Sequence, residues 1–73
     1  MSNPEWKRVM DLVRQDDFVW GRARDCAVDQ MVMDGCEEIG SSDINCTIFD
    51  RMCDCQTLGE VIFNLKDWCN EVA

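Results

Sequence analysis

The sequence predicts an all-α fold, a compact bundle of three to four short helices forming a single small domain. Three observations predict it. Apolar residues recur at spacings of three and four along most of the chain. No stretch shows sustained period-two alternation, and no hairpin turn separates apolar runs. Gly, Ser and Asp punctuate the pattern so that connections of only about two to six residues remain. The chain has 73 residues, a size at which a single small core buries only about 60% of the unfolded surface.

The first helix is expected over residues 4–15. Ser2 or Asn3 can cap it, and Pro4 suits its first position, where a missing N–H costs nothing. Trp6, Val9, Met10 and Val13 then share one face, while Lys7, Arg8, Asp11 and Arg14 take the other. The second helix is expected over 18–35, capped by Asp16 or Asp17 and either stopped at Gly35 or continued to Gly40. Phe18, Val19, Trp20, Ala23, Cys26, Ala27, Val28, Met31, Val32 and Met33 cover more than half of its circumference. A helix so widely apolar is normally covered on two sides, which makes it the central one. Gly21 in its first turn opposes the helix by about 1 kcal/mol relative to alanine.

A third helix is expected over 43–54, after the turn "GSSD", with Ile44, Ile48, Phe49, Met52 and Cys53 as its apolar stripe. The fourth, over 58–71, has the clearest signal. "TLGE" reads as a capping box in which Thr57 and Glu60 each satisfy the other's backbone N–H. Leu58, Val61, Ile62, Leu65, Trp68, Cys69 and Val72 follow at helical spacing.

The charge is unevenly distributed. Residues 1–25 carry five acids and five bases, whereas residues 26–73 carry ten acids against Arg51 and Lys66, which accounts for the net charge of −8. Such a surface repels phosphate backbones and anionic headgroups, so direct nucleic-acid or membrane binding is not expected. No run of about 18 apolar residues is present to span a bilayer. The polar start "MSNPEWKRVM" lacks the apolar stretch of a secretory signal. A cytoplasmic protein is therefore expected, or a secreted one if the chain is a processed fragment.

Six cysteines and no histidine raise a question about "RMCDCQ". The spacing C-x9-C-x9-C-x6-C-x-C-x13-C contains no C-x2-4-C knuckle of the kind zinc sites use. Cys53 and Cys55 on one helix would point about 200° apart and could not chelate together. The cysteine density and even count suit a disulfide-stapled secreted domain, and Asn45-Cys46-Thr47 is a glycosylation sequon. Against stapling stands a generous supply of core-forming aromatic and aliphatic residues. The favoured reading is that most cysteines are reduced and pack as small hydrophobes. On that reading Cys26, Cys53 and Cys69 face inward and Cys55 is the exposed thiol.

Without histidine, neither a Cys-His pair nor a Ser-His-Asp arrangement can form. No phosphate loop, dinucleotide fingerprint, Ca-binding loop or C-x-x-C redox motif is present. The chain reads as a non-enzyme with no cofactor. By elimination its expected role is to bind another macromolecule, as a regulator or inhibitor engaging a protein partner with a basic surface. The candidate contact residues are Asp29, Asp34, Glu37, Glu38, Asp43, Asp50 and Asp54. Carboxylates on a small rigid bundle can occupy a groove that normally holds phosphates, which is the physical logic of a nucleic-acid mimic. Small acidic phage proteins directed against host defence complexes share this general character, though no motif. The plainer reading of the same acids is a solubilising coat.

Trp20 and Phe63 are candidate apolar contacts that could drive homodimerisation or docking, against the plainer expectation that both lie in the core. The alternative class is a secreted, disulfide-stapled signalling or toxin-like domain. A cysteine-only zinc protein ranks third.

Overall fold

The computed structural model describes residues 4–72. Four helices follow in order: α1 (Pro4–Arg14), α2 (Asp17–Met33), α3 (Ser41–Met52) and α4 (Leu58–Val72), with no strand among the described residues. The all-α bundle expected from the periodicity is the fold observed. The Ser2 or Asn3 cap expected for α1 lies outside the described residues.

Each junction has an identifiable chemical cause. Asp16 adopts an extended conformation and its Oδ1 accepts from the N–H groups of Phe18 at 2.9 Å and Val19 at 3.2 Å. It thereby satisfies two of the orphan donors of α2. α2 ends two residues earlier than expected. Gly35, at φ 85°, reverses the chain, and the N–H groups of Gly35 and Cys36 donate to the carbonyls of Val32 and Met31, each at 3.0 Å. This is the Schellman arrangement, which favours glycine because a Cβ is strained at positive φ.

α3 begins two residues before the expected start. Its N-cap is Gly40, which has no side chain to offer, and Asp43 instead reaches back so that its Oδ2 accepts from the Gly40 N–H at 3.2 Å. The capping box expected at α4 is only half formed. Thr57 Oγ1 accepts from the Glu60 N–H at 3.2 Å, but the Glu60 carboxylate receives the Thr57 hydroxyl at 3.3 Å and no bond to the Thr57 N–H accompanies it.

α2 is central, packing against α1, α3 and α4. Its buried face, Val19, Ala23, Cys26, Ala27 and Met31, is made largely of small side chains, so its neighbours can approach closely. Around it lie Val9, Met10 and Val13 of α1, Ile48 and Met52 of α3, and Val61, Leu65 and Trp68 of α4. Trp68 is almost fully buried, and its Nε1–H donates to Gln30 Oε1 at 3.4 Å. Such a partner is what a buried indole N–H requires. Trp6 and Phe49 pack at a tilt of 55° with 5.0 Å between centroids and close the α1–α3 seam.

Several expectations about burial are corrected. Phe18, placed on the apolar arc of α2, is 75% exposed, because it lies at the open edge of the α2–α4 packing while its neighbour Val19 turns into the core. Val32 and Met33 are likewise exposed at the other end of α2. Cys53 and Cys55 exchange roles. Cys53 caps α3 and is exposed, whereas Cys55 is buried. The chain leaves the helix after Met52, and the Cys55 N–H donates to the Met52 carbonyl at 2.9 Å, folding Cys55 under the bundle. The expectation that Cys26 and Cys69 are packed thiols is also corrected: they form a disulfide with Cα atoms 5.7 Å apart. Cys36, Cys46 and Cys53 are exposed free thiols, and Cys55 is a buried one.

Candidate functional site

The outer face of α4 is built by helical arithmetic. With Val61, Leu65 and Trp68 committed to the core, a rotation of 100° per residue sends Phe63 to the opposite side and Asp67, Glu60 and Glu71 to the flank beside it, all four within about 80° of one another. Phe63 is 71% exposed on this face. It lines a shallow groove of about 590 Å³ with Asp54, Glu60, Asp67, Glu71 and Arg51. A large aromatic side chain is thus held in water among four carboxylates and one guanidinium.

Arg51 joins this groove to a second cleft of about 300 Å³, lined by Gln30, Asp34, Thr47, Asp50, Arg51 and Trp68. Its Nη2 lies 2.7 Å from Glu71 Oε2, and its guanidinium lies 5.8 Å from the centre of the Trp68 ring. The Arg51 hydrogen bond holds the Glu71 carboxyl below its ordinary value, with direct charge attraction a smaller contribution. Asn64 supports the groove floor. Its Nδ2 donates to the Arg51 carbonyl at 3.1 Å and to Cys55 Sγ at 3.7 Å. Burial pushes the Cys55 thiol above its ordinary value, the Asn64 bond opposes this, and the charges of Glu60 and Asp54 add to it.

The sequence-derived acids divide into two groups. Asp34 and Asp50 meet in the second cleft and Asp54 borders the first, so three of them lie along one connected surface. Asp29, Glu37 and Glu38 are exposed but line neither cleft, and Asp43 is engaged in closing the first turn of α3. Glu60, Asp67 and Glu71 were missed as candidates. Their spacing of seven and four along α4 was the available signal. Trp20 is half-buried, with the guanidinium of Arg14 at 4.8 Å and that of Arg24 at 5.9 Å from its ring centre, so cations already cover it.

No family model matches the chain, and no curated protein or solved structure matches it either. The geometry alone must carry the functional reading.

Among the described residues no group of three or more Cys, Asp or Glu side chains is placed to hold a metal ion. No helix there is long and apolar enough to cross a membrane. An exposed aromatic ring offers apolar area at little conformational cost, and carboxylates around such a ring attract cationic groups.

Proposed function

We propose that this is a small non-enzymatic protein that binds another macromolecule, as a regulator or inhibitor engaging a basic protein surface. The observation supporting this reading is Phe63, 71% exposed in a groove bordered by Asp54, Glu60 and Asp67. Leaving such a ring in water gives up hydrophobic stabilisation, and residues of this kind serve as interface anchors. Asp34 and Asp50 extend the negative surface beyond Arg51, so the footprint suits a groove lined with arginine and lysine. A phosphate-binding groove has that chemistry, and occupying it is the mode of a nucleic-acid mimic.

The test is affinity capture from the source cell at low and high salt, with wild type, Phe63→Ala and Glu60→Gln/Asp67→Asn side by side. A partner held by this face is retained by wild type at low salt, released at high salt and lost from both variants. Equal capture by all three proteins, or capture indifferent to salt, would overturn the reading.

A second reading is favoured by the Cys26–Cys69 bridge, which suits an oxidising compartment and hence a secreted signalling or toxin-like domain. The three exposed thiols Cys36, Cys46 and Cys53 favour the first reading and a cytoplasmic setting, because free exposed thiols persist in a reducing medium. Counting free thiols on protein trapped with alkylating agent in intact cells separates the two. Six free thiols support the cytoplasmic setting and three bridges the secreted one, while a single bridge places the protein where α2 and α4 alone are cross-linked.

A further inference from the structure

A groove of about 790 Å³ runs between the first half of α2 and α4, with Phe18, Val19, Ile62 and Leu65 as its apolar wall and Arg22 and Lys66 beside them. Phe18 is 75% exposed and Ile62 38% exposed. The cations are the informative part, because the chain carries only seven in a molecule of net charge −8. Lys7 pairs with Asp11, Arg51 pairs with Glu71, and Arg14 and Arg24 lie over Trp20. Arg8, Arg22 and Lys66 have no hydrogen bond or ion pair with any described residue, and of these three Arg22 and Lys66 line this groove. Asp16, the acid lining this groove, has its Oδ1 engaged by the first N–H groups of α2. The groove is therefore an apolar slot lined by two cations and one helix-capping carboxylate, with a net positive charge.

The same molecule carries the complementary surface. Phe63, flanked by Glu60 and Asp67, is an apolar anchor with negative charge beside it. Both surfaces lie on α4, on opposite flanks of its outer side: Ile62 and Lys66 on one, Phe63 and Asp67 on the other. We infer that a second copy of this chain covers the Phe63 face, with Phe63 of one copy seated in the α2–α4 groove of the other and Arg22 and Lys66 facing Glu60 and Asp67.

Two copies with their α4 helices side by side and parallel bring each Phe63 flank onto the other's Ile62 flank. A two-fold axis along that direction makes both contacts at once and closes the dimer, so no open chain of subunits forms. Each contact sets Arg22 and Lys66 of one copy against the carboxylates that border Phe63 of the other. The dimer also hides the face proposed for a basic partner, so partner binding and self-association compete. The self-association does not depend on the partner reading and is measured without any partner.

The experiment is sedimentation equilibrium across a concentration series with two variants, Arg22→Glu/Lys66→Glu and Glu60→Lys/Asp67→Lys, all at exposed positions. The wild type is expected to rise from the monomer mass of 8.5 kDa to twice that value. Each variant alone stays at the monomer mass, because one of its two surfaces now repels the other. Mixing the variants in equal amounts restores the heavier species, since the groove of one still accepts the face of the other. A wild type that remains monomeric to about 1 mM, equivalent to about −4 kcal/mol of association, would overturn the inference. So would a variant that dimerises like wild type, or a mixture that does not associate. The wild-type series stands by itself should a variant lose its helical circular dichroism.

Discussion

Arg51 Nη2 lies 2.7 Å from Glu71 Oε2, joining α3 to the end of α4 at the point where the two acidic clefts meet. The pair sets the local charge as well as the packing, because among the described residues Arg51 is the only cation lining either cleft. Glu71 titrates below its ordinary value because Arg51 donates to its carboxylate. A depressed carboxyl contributes stability at pH values above its unfolded pKa, and that contribution is lost as pH falls through the folded one. Arg51→Ala is therefore expected to return Glu71 towards the ordinary glutamate value. It should also narrow the stability difference from wild type as the solution is acidified. Side-chain carboxyl titration by NMR checks the first expectation, and urea unfolding at several pH values checks the second.

The Cys26–Cys69 bridge closes 43 residues of sequence between α2 and α4. Chain-entropy arguments assign a loop of that size about 4 kcal/mol. At about 4–8 °C per kcal/mol for a domain this small, Cys26→Ala/Cys69→Ala is expected to melt about 15–30 °C lower than the oxidised wild type. Calorimetry of the wild type, the variant and the reduced wild type measures it. A drop of only a few degrees would show that packing of Ala23, Ala27, Leu65 and Trp68 carries the α2–α4 contact without the bridge.

Much of the fold was legible because the decisive signals are local. Val9, Met10 and Val13, and later Val61, Leu65 and Trp68, repeat at helical spacing and are all buried. Gly35 marked the end of α2 because positive φ is a property of the residue itself. The misreadings fall where tertiary context decides. Phe18 and Val19 are adjacent apolar residues, and only the positions of the neighbouring helices leave one exposed and the other buried. Cys53 and Cys55 were ordered by extending a helix that stops at Met52. At the candidate site, Asp34 and Asp50 converge only because α2 and α3 pack together. Glu60 and Asp67 were readable from their register on α4 but were passed over for acids clustered in sequence.

Thiol reactivity follows from burial. Cys36, Cys46 and Cys53 are exposed, while Cys55 is buried with its thiol held above its ordinary value. Limited alkylation of the native protein is expected to label the first three well before Cys55, with peptide mapping to assign the sites. The pH dependence has a definite sign. An acid whose folded pKa is raised stays neutral in the fold while the unfolded thiol ionises, so its contribution is intact below the ordinary thiol value and declines as pH rises above it. Asn64→Ala removes the one interaction that lowers the Cys55 pKa and leaves the Arg51 carbonyl without its Nδ2 donor. It is expected to slow Cys55 labelling in the native state if the bundle stays closed, and to lower the melting temperature.

Gly21 and Gly35 should respond to the same substitution with opposite signs. Gly21 lies in the helical body of α2, and a Cβ built there meets nothing within 4 Å. Alanine at that position removes unfolded-state freedom without a clash, so Gly21→Ala is expected to stabilise by about 0.5–1 kcal/mol. Gly35 also has open space around a built Cβ, but its φ is +85°. Space is therefore not the constraint there. The strain of a left-handed L-residue is, and Gly35→Ala is expected to destabilise by about 1–2 kcal/mol. Paired urea denaturation curves with equal slopes would read the two effects directly. Destabilisation by Gly21→Ala would mean that α2 needs flexibility just after its first turn, near the exposed Phe18 and the groove it lines.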